Sequence, residues 1–174
     1  MNASRGASIS ACWPSPPFTY FPRALTEPRS LPASVAFGWL AAFPLSIAIA
    51  ALIYAIEPMA QGPEFRAGGT FVFTALVVIS PVLETLIMGG VLSILLRFLP
   101  PAWAVGLSAL GWGVAHSMAA PIWGLIIWWP FLVFSTQFVT WRQRSLWLAF
   151  AVPMLTHALQ NLGPALVIAS GAKI

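Results

Sequence analysis

Charge is what this 174-residue chain has least of: 7% of its residues are Asp, Glu, Lys or Arg, eight basic and four acidic. A soluble domain carries about 25%. Twelve charges cannot coat a water-facing surface of this size, which excludes a soluble globular enzyme, a disordered chain and a nucleic-acid binder. Cysteine is nearly missing too. Cys12 stands alone, so no internal disulfide can form, and it is expected to be inert. Histidine occurs twice. No continuous apolar stretch follows a basic start, so the N-terminus does not read as a signal peptide. No internal repeat and no low-complexity run is present.

What is present is apolar: 59% of the residues, with nine tryptophans and twelve phenylalanines. That composition predicts an all-α, polytopic membrane bundle of about five transmembrane helices in one domain, residues 33–174. Residues 1–32, rich in Pro and Ser, read as a flexible tail. The predicted spans cover 34–56, 70–99, 102–118, 122–140 and a block from 146 onward. A span needs about 20 residues, so the third is short. Pro81 should bend or break the second span, and Gly163-Pro164 should break the fifth. With the N-terminus in the cytoplasm, Arg5, Arg23, Arg29, Arg97, Arg142 and Arg144 lie inside, and Arg66 and Lys173 outside. That asymmetry fits the positive-inside rule and an inner-membrane location. It also accounts for the net charge of +4 without a nucleic-acid partner.

Ionisable groups in the spans are few: Glu84, His116 and His157. Each is costly at bilayer depth, about 2.5–3.5 kcal/mol for a charged acid or base on insertion scales. Counted from span ends on one side of the bilayer, they share a level: about 20 Å from Arg97 to Glu84, about 21 Å from Ala102 to His116 and about 17 Å from Leu146 to His157. Asn161 lies one turn beyond His157 on the same helical face. A carboxylate, two imidazoles and an amide at one depth can activate water and hold a carbonyl oxygen as charge develops. The bland alternative is hydrogen bonding between helices. A third possibility is a proton or cation relay.

Glycines at Gly89-Gly90 and around Trp112 (Gly111, Gly113) are expected to let helices approach closely. Trp123, Trp128 and Trp129 are expected to face lipid or the interface, and Arg142 and Arg144 to be topology charges.

At the ionisable residues the sequence resembles the CPBP family (CAAX protease and bacteriocin-processing, also Abi). Three motifs carry the resemblance. SPVLETLIMGG resembles the Glu-Glu-x-x-x-Arg helix at Glu84 and Gly90. WGVAH resembles Phe-x-x-x-His, with Trp112 for Phe and His116 in place. PMLTHALQN resembles His-x-x-x-Asn, with Pro153, His157 and Asn161 in register. The motifs fall in family order, 32 and 41 residues apart, within 70–162. Thr85 stands where the second glutamate would be and Gly89 where the arginine would be, so the chain resembles a divergent branch of the family. The resemblance implies a glutamic intramembrane endopeptidase acting on a membrane-associated peptide or protein among membrane lipids. Glu84 would be the base on water, His116 its assistant, and His157 with Asn161 the oxyanion site. A fold of this kind that had lost activity would serve as a partner-binding, scaffold or bacteriocin self-immunity protein. No cofactor is expected. Two histidines and a carboxylate suit Zn²⁺, but Asn161 is an unusual ligand and no His-Glu-x-x-His helix is present.

Overall fold

The computed structural model describes residues 18–63 and 69–170. Cys12, Arg5, Arg66 and Lys173 fall outside them. Every regular element among the described residues is helical.

A 3₁₀ turn at Phe18–Tyr20 leads into a short helix α1, Arg23–Thr26. Helix α2, Leu31–Ile56, starts on an N-cap: the Ser30 hydroxyl accepts from the Ala33 amide, and Pro32 sits in the first turn. Pro44 lies inside α2 without ending it. The next helical stretch has three parts: α3, Gly69–Thr74; a π-helical turn, Ala75–Ile79; and α4, Ser80–Leu95. They are succeeded by α5, Pro101–Ser117; α6, Trp123–Arg142; and α7, Leu146–Ala169. Among the described residues, three helices are long and apolar enough to cross a membrane: Leu31–Ile56, Gly69–Leu95 and Trp123–Arg142. The chain is therefore an all-α bundle with the character of a membrane protein.

Helix α6 is the axis. Its second half is buried almost without a break, from Pro130 to Trp141, and α2, α5 and α7 pack around it. The interior is apolar with buried hydroxyls and amides that pair across helices. Ser135 donates to Ser108 (3.1 Å), Gln137 Nε2 to the Ser34 carbonyl (2.7 Å), and Trp141 Nε1 to the Ser34 hydroxyl (2.9 Å). Such bonds hold apolar helices in register where burial alone does not discriminate. Helices α5 and α6 come close at Gly113 and Gly124, where a Cβ on Gly124 would overlap the Gly113 carbonyl. Close approach at Gly113 is as expected. Gly111 and Gly90 face open space.

Three expectations need correcting. The tail does not extend to residue 32. Phe18 and Leu25 are buried in the core, Phe21 meets Trp129 edge-on, and Arg144 donates to the Pro28 carbonyl (3.1 Å). Apolar residues three and four apart give this segment one buried face, which its Pro and Ser content conceals. Second, Gly163-Pro164 does not break α7. The helix runs through both Pro153 and Pro164. Each proline costs one backbone bond, but packing on α2, α3, α4 and α6 fixes the helix on either side. At Pro81 the expected bend or broken turn takes the form of one π turn, Ala75–Ile79, just before the proline. Third, Trp123, Trp128 and Trp129 are half-buried. Trp129 Nε1 donates to the Ala41 carbonyl (2.8 Å), tying α6 to α2, and Trp123 lies against His116.

Candidate active site

Glu84 sits one turn into α4. Its Oε1 accepts a short hydrogen bond from the hydroxyl of Ser80, four residues earlier on the same face. Its Oε2 is buried and has no hydrogen-bond partner among the described residues. That oxygen faces His116 Nε2 at 3.7 Å. The separation is longer than a hydrogen bond and within reach of one after a small side-chain adjustment. The side chains are 21% and 11% exposed, so the pair lies at the edge of the bundle rather than at its centre.

His116 is in the last turn of α5. Its Nδ1 lies 2.9 Å from the Trp112 carbonyl. A carbonyl only accepts, so Nδ1 carries a hydrogen and donates, leaving Nε2 toward Glu84. One proton between Nε2 and Oε2 satisfies both atoms. Three aromatic rings wall the imidazole: Trp123 edge-on at 4.7 Å, Phe131 at 5.6 Å and Trp112 at 5.7 Å. Trp112 and Phe131 stack on each other at 4.4 Å. The imidazole therefore has little freedom to turn away.

His157 is deeper, 5% exposed, and stacked on Phe134 at 4.8 Å. Phe131 meets it edge-on at 5.5 Å, so one phenyl ring touches both imidazoles. Its Nδ1 is buried without a hydrogen-bond partner among the described residues. Glu84 and His116 thus meet directly, and His157 joins them across Phe131. Asn161 is turned elsewhere: its Nδ2 donates to the Leu76 carbonyl in the π turn (2.9 Å).

The positions where the motif departs are filled. A Cβ on Gly89 would press on the rings of Phe150 and Phe138, which pack edge-to-face at 5.1 Å. No void is left for an arginine. Thr85 is fully buried and its hydroxyl has no partner among the described residues. Also among the described residues, no three His, Cys, Asp or Glu side chains gather closely enough to hold a metal ion.

Sequence reasoning missed Ser80, Trp123, Phe131 and Phe134. The i to i+4 spacing of Ser80 and Glu84 was a usable signal. The aromatic contacts are made between separate helices, and nothing local announces them. No known family model, curated protein or solved structure matches the chain.

Proposed function

We propose that the chain is a membrane-embedded endopeptidase of the CPBP type, hydrolysing a peptide bond near the membrane surface. The observation that carries this is the facing of Glu84 Oε2 and His116 Nε2 from two separate helices. Oε2 has no hydrogen-bond partner among the described residues, and the two side chains lie at the edge of the bundle. Glu84 takes a proton from water, and the oxygen attacks the scissile carbonyl carbon. The same proton returns to the departing amine nitrogen as the C–N bond breaks. Ser80 holds one carboxylate oxygen, which aims the other. Rings at Trp112, Trp123 and Phe131 hold His116 in place to share that proton. His157 Nδ1, with no hydrogen-bond partner among the described residues, is the donor for the oxyanion.

In this reading five helices cross the bilayer: α2, the 69–95 helix, α5, α6 and α7. Helix α5 has 17 residues, about 26 Å at the α-helical rise, close to the lower limit. The N-terminus lies in the cytoplasm and the membrane is the inner one. Lipid and a membrane-associated peptide or protein are the partners. Glu84→Gln in the purified protein, assayed on a reporter peptide in proteoliposomes, tests the function: cleavage persisting at the original rate would refute it.

A second reading is favoured by Phe138 and Phe150, which occupy the site of the family's arginine. Here the fold is retained as a non-enzymatic partner-binding or self-immunity protein. Single changes at Glu84, His116 and His157 would then leave the cellular phenotype intact in folded protein.

A further inference from the structure

A helix carbonyl normally accepts from the amide four residues later, or five in a π turn. For Leu76 neither donor exists. The Ser80 amide is given to Ala75, closing the π turn. The residue five on is Pro81, which has no N–H. A carbonyl left without a donor in an apolar bundle is costly. Asn161 Nδ2, from α7, supplies the missing bond at 2.9 Å.

The π turn governs the orientation of α4. One extra residue in the helical circuit rotates everything on its far side by about 100°, the angle of one residue in a 3.6-residue turn. Ser80 and Glu84 lie directly beyond the turn, and Ser80 bonds Glu84. The register of Ala75–Ile79 against α7 therefore sets the direction in which Glu84 leaves α4.

We infer that Asn161 is a positioning residue: it donates the hydrogen bond that Pro81 withholds from Leu76, and so fixes the helical register in which Glu84 faces His116. This rests on reading Glu84 and His116 as the working pair, and it gives Asn161 a task at the backbone rather than on substrate. Pro81 and Asn161 then form one device. The proline opens the register and the amide locks it.

Replacing Pro81 by alanine restores an N–H. In either register Leu76 then gains a backbone donor, from residue 81 in a π turn or from Ser80 in an α turn. Asn161 becomes redundant. The test is a double-mutant cycle on the full chain in detergent: wild type, N161A, P81A and P81A/N161A. Hydrogen exchange over residues 75–86 reads the lock. Nitrogen-15 spectra of labelled histidine read the site, because the protein has two histidines only. N161A should speed exchange by about five- to tenfold, the worth of one lost buried hydrogen bond. It should also move the His116 Nε2 signal toward that of Glu84→Gln. In the P81A background, N161A should change neither. Equal effects of N161A in both backgrounds, or no effect in the native one, would overturn the inference. If N161A alone does not fold, P81A must restore folding, and failure to do so is equally decisive against it. Neither measurement requires cleavage, so a chain without peptidase activity refutes the proposed function while the lock is still judged.

Discussion

Two faces of α4, one residue apart, have opposite characters. The Glu84 face carries a carboxylate bonded to Ser80 and set against His116, partly open at the bundle edge. The Thr85–Gly89 face is closed: Thr85 is buried, and the aromatic rings of Phe138 and Phe150 press on Gly89. In the resembling family both faces are polar. The contrast shows that an acid–imidazole pair can stand without a neighbouring ion pair when hydrogen bonding and ring packing hold it instead. The closed face is held by packing where the open one is held by hydrogen bonding.

The largest expected effect belongs to the open face. Glu84→Gln should lower cleavage by about 10²–10⁴-fold, the range for loss of a general base, while thermal unfolding in detergent stays near that of wild type. A stable variant that still cleaves would remove the distinction between the faces. Next comes an attempt to restore the family pattern on the closed face. Thr85→Glu with Gly89→Arg should lower stability by about 3 kcal/mol or more, because the arginine must displace two rings and the charges enter a dry interior. Wild-type stability of this double variant, measured by denaturation in mixed micelles, would mean that the rings yield readily. Ser80→Ala should have a smaller effect, about five- to tenfold on turnover, since it removes one donor from a carboxylate that keeps its other contact. The smallest concerns Thr85. Replacing it with valine removes a buried hydroxyl that has no partner among the described residues, so stability should rise or fall by less than about 1 kcal/mol. A loss several times larger would reveal that the hydroxyl is bonded after all.

The closed face was invisible in the sequence, and the open one was not. Glu84, His116 and His157 stand out because lipid-facing helices carry so few ionisable groups, and their common depth comes from counting residues along helices. That reasoning correctly brings Glu84 to His116. It fails for Asn161. Position on one helical face with His157 says nothing about which way the amide turns, and its partner, the Leu76 carbonyl, is exposed only because Pro81 lies five residues on. At Gly89 it gives the close approach but not the residues that make it, two phenylalanines from α6 and α7. Helix identity and approximate limits were readable from long apolar runs. The packed segment before α2 was not, because Phe18, Phe21 and Leu25 acquire meaning only when α6 is present to receive them.

That segment has a consequence for biosynthesis. Pro28 and Arg144, which join its carbonyl to the end of α6, are 116 positions apart. As the polypeptide leaves the ribosome, the stretch from Phe18 to Arg29 emerges well before α6, and its receiving groove is finished only once α6 has been made. Contacts so distant in sequence form slowly. Until then two phenylalanines and a leucine stay uncovered, so a ribosome-stalled intermediate ending before α6 should bind chaperones or bilayer surface through these residues, and release them when Arg144 has been translated.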